Sequence, residues 1–170
     1  MEAFQAALYQ TFQSDNFNVW PHIISLAAAY LLALPIGLHR EREERSAGLR
    51  TFPLVAVASC GFIQATEGLT TGSPEAQARI IEGVITGMGF IGGGAILRLK
   101  SSVKGTATAA SLWATGAIGI ACAMGTFDVA VMIVLFSLLT LWMFSNGKSE
   151  LSKETSEIDI HNSIKSDPDT

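Results

Sequence analysis

The sequence predicts an all-α integral membrane protein, a bundle of about five transmembrane helices with its N-terminus outside and its C-terminus inside. Three observations carry this expectation. Only 15% of the 170 residues are charged, whereas a soluble domain carries about 25%. The charges are also confined: between Glu2 and Arg40 there is only Asp15, and between Lys104 and Lys148 only Asp128. Helices facing water need a polar side, and these stretches cannot supply one. Finally, the basic residues gather in alternate connections, the pattern of cytoplasmic loops that retain Lys and Arg during insertion.

The low-charge runs define five spans: Trp20 to Leu38, Thr51 to Thr66, Ile80 to Leu97, Thr106 to Met124 and Phe127 to Phe144. At about 20 residues per crossing they occupy most of the chain and form a membrane domain over 20–145. Ahead of it, residues 1–19 form an extracytoplasmic leader in which Phe4, Leu8 and Phe12 recur at helical spacing, fit for lying along the membrane surface. No Lys or Arg occurs in the first 20 residues, so a cleavable signal peptide is not expected. Residues 146–170 turn to Lys, Ser, Glu and Asp and are expected to form a disordered cytoplasmic tail. Trp20 and Trp142 lie near span ends, where indole rings favour the headgroup layer, while Trp113 lies within a span. The tight connection at Gly125 makes the last two spans an antiparallel hairpin.

Orientation follows from the basic residues. Arg40, Arg42, Arg45 and Arg50 occupy the first loop, Arg98, Lys100 and Lys104 the third, and Lys148, Lys153 and Lys165 the tail. Arg79 alone falls on the opposite side, which is therefore outside.

Other classes of protein are disfavoured. A net charge of −4 and no basic patch argue against nucleic acid as a partner. Cys60 and Cys122 sit in apolar runs, as inert buried thiols would. No nucleophile, base and orienting acid share a depth, so neither an enzyme nor a cofactor site is expected.

Candidate functional residues lie in four places. On the third span, Gly83, Gly87 and Gly94 share a helical sector, and Glu82, Thr86, Gly89 and Gly93 share the neighbouring one. Such spacings suit close helix packing, and Ile81, Val84, Ile85, Met88 and Ile91 then face lipid. A sharper alternative has Gly92 to Gly94 interrupting the helix beside a cavity. Glu82 is an intramembrane acid, or else a residue at the outer interface. Thr108, Ser111, Thr115, Gly119 and Cys122 make a stripe on the fourth span that either bonds to a neighbouring helix or lines a polar passage. In the first loop, Arg40 and Arg50 flank the membrane, available to Glu41 or to lipid phosphates.

Four ordered blocks carry a family resemblance: Gly37-Leu38-His39-Arg40-Glu41, Ala47-Gly48-Leu49-Arg50-Thr51, Gly87 to Gly94, and Val103-Lys104-Gly105 with Thr108 to Trp113. Together they resemble the MgtC/SapB family of bacterial inner-membrane proteins. The resemblance implies a five-span domain and a role in magnesium limitation, acid tolerance and virulence, exerted by regulating another membrane machine such as ATP synthase. His39 stands where the family often has an acid, and Thr106-Ala107 replaces a usual Leu-Thr or Leu-Asn pair. Longer members add an ACT-like cytoplasmic domain, whereas a polar tail follows Phe144 here.

Two functions fit these residues. One is a multi-pass membrane protein that associates with itself, as a homo-oligomer, or with another complex in the lipid bilayer. The alternative is a transporter or channel for magnesium or another small cation or solute, with Glu82 as its carboxylate. Arg40, Glu41, Arg50, Glu82, Thr108 and Trp113 are the residues to locate, with Gly83, Gly87, Gly89, Gly93 and Gly94 as helix-packing positions.

Overall fold

The computed structural model describes residues 19–42, 47–70, 72–99 and 102–143. The expected leader and tail lie outside the described residues, apart from Val19. In chain order the elements are α1 (Val19–Arg42), α2 (Thr51–Ala65), the single turn α3 (Glu67–Thr70), α4 (Pro74–Gly94), strands β1 (Leu97–Leu99) and β2 (Ser102–Lys104), α5 (Thr106–Ala123) and α6 (Phe127–Met143).

Helices α2, α5 and α6 end within a residue of the expected spans, because their ends coincide with breaks in the apolar pattern. Helix α1 runs a further turn to Arg42 and places His39, Arg40 and Arg42 in its last turn. Cations are favourable there, against the negative end of the helix dipole.

The third expected span differs most. Helix α4 starts at Pro74 because Ser73 caps it, accepting a hydrogen bond from the Ala76 N–H at 3.4 Å, with Pro74 in the first turn and Glu75 at the positive end. It continues through Gly92 and closes when the N–H groups of Ala95 and Ile96 donate to the carbonyls of Gly92 and Gly93, each at 3.1 Å. The three-glycine run therefore does not interrupt the helix. Leu97, expected inside the span, instead begins an antiparallel hairpin in which Arg98 pairs with Val103.

Helix α5 is the centre of the bundle and is flanked by α1, α2 and α4, which all contact it. Its inward residues are mostly small, among them Ala109, Thr115, Gly116, Gly119 and Cys122, with Leu112 and Ile118 the larger exceptions. A Cβ added at Gly119 would lie 2.9 Å from the Ser59 Cβ and 3.1 Å from the Ala56 carbonyl carbon of α2. One added at Gly116 would lie 2.9 Å from the Met88 Cγ of α4. Missing side chains thus let the backbones approach, which replaces the hydrophobic effect as the source of helix association in lipid. Ala29, Ala33 and Ile36 of α1, Phe52, Ala56 and Cys60 of α2, and Ala130 and Val134 of α6 complete the buried core.

Large apolar side chains point the other way. Trp20, Leu54, Phe62, Phe90, Phe136 and Trp142 are all more than half exposed, Phe90 to 86%. In water such a surface would aggregate. By length and composition, α1 and α5 are able to cross a bilayer, and α2 and α6 are apolar but shorter.

The helices alternate in direction, so the two ends of the bundle differ. At one end Arg40 of α1 meets Thr108 of α5, and Gly105 abuts Ala95. At the other, Ile63, Thr66, Gln77, Ile80 and Met124 surround a cavity of about 180 Å³. Arg40, Arg42, Arg50, Arg98 and Lys104 consequently share the first end, and Arg79 lies beside the second. Between α5 and α6, Gly125 adopts a left-handed φ of 73°. The N–H groups of Thr126 and Gly125 donate to Ala121 and Cys122 at 2.9 and 3.2 Å, a Schellman closure that turns the chain back on itself.

Candidate functional site

Ser25, Ala29, Ala33 and Gly37 recur every fourth residue and form the inner face of α1. Arg40 continues that face into the bundle, where it is only 3% exposed. Its Nη2 donates a hydrogen bond to Oγ1 of Thr108, itself buried. A guanidinium withdrawn from water needs such acceptors, since burial of an unsatisfied charge is costly.

Glu41, one position on, turns outward and bonds to the backbone of the following loop. Its Oε2 accepts the Leu49 N–H at 3.0 Å. Gly48 makes this approach possible, since a Cβ there would lie 2.9 Å from the Glu41 carboxyl carbon. The Gly48 carbonyl in turn accepts the N–H groups of Thr51 and Phe52, at 3.0 and 3.2 Å, and so starts α2. Gly105 completes the cluster at φ 90°, where a Cβ would come within 3.0 Å of the Ala95 carbonyl carbon. Sequence blocks far apart in the chain thus converge on one end of the bundle. The sequence marks both Arg40 and Thr108 as candidates but carries no sign of their pairing, since they lie 68 residues apart.

The residues of the polar stripe on α5 are all buried; Thr108 bonds across to α1, the interhelical use its position allowed, whereas the next two hydroxyls turn onto their own helix. Ser111 Oγ donates to the Ala107 carbonyl at 2.7 Å and Thr115 Oγ1 to the Ser111 carbonyl at 2.8 Å. Trp113 is more than half exposed and borders a cavity of about 300 Å³ with Ile85, Met88 and Ile133. Glu82 is exposed, two residues past Ile80 at the rim of the second end. Among the described residues no three His, Cys, Asp or Glu side chains gather as metal ligands would.

The glycine faces of α4 behave differently from the expectation of packing within the bundle. Among the described residues, a Cβ added at Gly83, Gly87, Gly89, Gly93 or Gly94 would meet nothing within 4 Å. Met88, assigned to lipid from the sequence, is instead buried against Gly116. The small partner at this contact comes from α5, and α4 contributes the large residue; of the α4 glycines, only Gly92 is buried, with Ala109 of α5 in ordinary contact range. Gly83 and Gly87 line a groove of about 890 Å³ between α2 and α4, together with Leu54, Phe62, Phe90 and, at its head, Arg50. Nothing in the sequence signalled this groove, because it depends on how far α2 and α4 stand apart.

A core rich in small residues, many large apolar side chains exposed on the outside and cations gathered at one end define a helical membrane protein. Residues 26–149 match the MgtC family, and the chain belongs to that family. Among its relatives, it is 39% identical to Protein MgtC of Salmonella typhimurium over 124 residues, which cover 73% of this chain and 52% of that protein. It is 38% identical to Protein SrpB of Synechococcus elongatus over 128 residues, 68% of this chain and 70% of that one. Protein MgtC of Brucella abortus is 37% identical over 111 residues, 65% of this chain and 46% of that one. The chain thus spans about half the length of the MgtC proteins it matches. No solved structure matches it.

Proposed function

We propose that this chain is a multi-pass protein of the bacterial inner membrane that regulates another membrane complex by lateral contact, in adaptation to magnesium limitation. In this reading it crosses five times, with the Arg40 end in the cytoplasm. The observation that supports lateral contact is the outward face of α4, where Glu82, Thr86, Gly89 and Gly93 are all exposed and both glycines have open space before them. A polar, small-residue face is poorly matched to lipid tails and well matched to another helix. The magnesium link, with acid tolerance and virulence, comes with the family. Cation transport is supported less well, because magnesium takes several oxygen ligands and, among the described residues, the buried charged side chain is itself a cation, Arg40.

The test is photo-crosslinking in native membranes from a probe at Thr86, followed by identification of the adducts. A specific protein adduct, a second copy included, that Gly93→Leu abolishes without lowering membrane insertion is the expected result. No adduct from Thr86, together with a magnesium flux in liposomes that Glu82→Gln removes, would overturn the proposal in favour of transport. Normal growth of a deletion strain at low magnesium would separately remove the physiological role.

A further inference from the structure

The groove between α2 and α4 is a second open feature, distinct from the outward glycine face. Its walls are apolar along their length: Leu54, Val55 and Phe62 on α2, Val84, Phe90 and Ile91 on α4. Buried Ser59 and Met88 close its floor at mid-depth, their side chains 3.8 Å apart. Among the described residues Arg50 is the one charged residue that lines it, and Thr51 lies beside it. Both sit at the first turn of α2, at the cation-rich end of the bundle. The slot is therefore apolar with a single cation at one mouth.

From this we infer that the groove is a binding site for one anionic phospholipid, with its phosphate on Arg50 and an acyl chain lying between α2 and α4. The dimensions agree. Arg50 to Ser59 is nine helical residues, about 14 Å at 1.5 Å per residue, close to one leaflet of an approximately 30 Å hydrocarbon layer. A chain anchored at Arg50 thus reaches the floor at Ser59 and Met88. Gly83 and Gly87 keep the slot open, since any larger side chain at Gly87 would project into it. Charge complementarity selects the occupant: no acidic residue among those described lines the groove, and guanidinium binds phosphate through short, charge-assisted hydrogen bonds. The site requires only that the cation-rich end lie at headgroup level, and it holds whether or not α4 recruits a protein partner.

Native mass spectrometry of the full chain released from detergent tests this, with phosphatidylglycerol and phosphatidylcholine as competing probes. The parent protein is expected to retain one phosphatidylglycerol in preference to phosphatidylcholine. Arg50→Gln should lower that preference about tenfold, the scale of a lost hydrogen bond to a charged group, and Arg50→Lys should restore part of it. Gly87→Leu, which fills the slot, should reduce retention of both lipids. Arg42→Gln is the control, being exposed at the same end and outside the groove. Equal loss in Arg42→Gln and Arg50→Gln would overturn the site in favour of diffuse surface charge. Retention of phosphatidylglycerol undiminished in Gly87→Leu would also overturn it, as would a dimer that Gly87→Leu dissociates, which would make a second copy the occupant.

Discussion

Gly119→Ala should be among the most damaging single-methyl additions to this protein. The new Cβ would stand 2.9 Å from Ser59 Cβ and 3.1 Å from the Ala56 carbonyl carbon, where ordinary contact begins at 3.4 Å. Both obstacles belong to α2, and one is backbone, so no rotamer change relieves them. The α2 and α5 axes must instead part by about half an ångström or more, which loosens the contacts on either side of Gly119. Overpacking of this kind costs about 1–3 kcal/mol, and 2 kcal/mol changes the ratio of folded to unfolded protein about 30-fold. Reversible denaturation in mixed micelles, followed by far-ultraviolet circular dichroism, measures the difference. Gly83→Ala is the matched control: it adds the same methyl to a helix, with nothing among the described residues within 4 Å to meet it, and should leave the protein as stable as the parent or up to about 1 kcal/mol more so. Equal stability of the two variants would refute close backbone packing of α2 on α5.

Three further outcomes follow from the cation-rich end. Thr108→Val removes the acceptor of Arg40 and should cost about 1–3 kcal/mol in the same assay, whereas Thr108→Ser should recover most of the loss; a neutral Thr108→Val would show that the bond contributes nothing. Glu41→Ala releases the Leu49 N–H, so hydrogen exchange should accelerate at the start of α2 and stay unchanged in α5. Gly105→Ala combines a left-handed backbone with a clash against Ala95 and should destabilise by more than about 1 kcal/mol, read as a lower denaturation midpoint.

Much of the architecture was legible because lipid imposes a local rule. Charges avoid the hydrocarbon, so the starts of α2, α5 and α6 could be read from single residues such as Thr51, Thr106 and Phe127. The polar start of α4 defeated the same rule: Pro74 to Arg79 extend the helix past its apolar part, under a Ser73 cap that a count of charges ignores. Glycines were harder. Gly119 and Gly93 look alike in sequence, yet one lies against the α2 backbone and the other faces open space. A glycine marks where a close approach is permitted and says nothing about whether a neighbour makes it.

By itself, then, the order of residues determined the solvent of this protein, the extent of most of its helices and the end at which its cations collect. These follow from side-chain chemistry and spacing along one helix at a time. The pairing of Arg40 with Thr108, the inward turn of Met88 and the slot beneath Arg50 arose only when helices came together. Each depends on the separation and rotation of two helices, which are set by the packing of all of them at once.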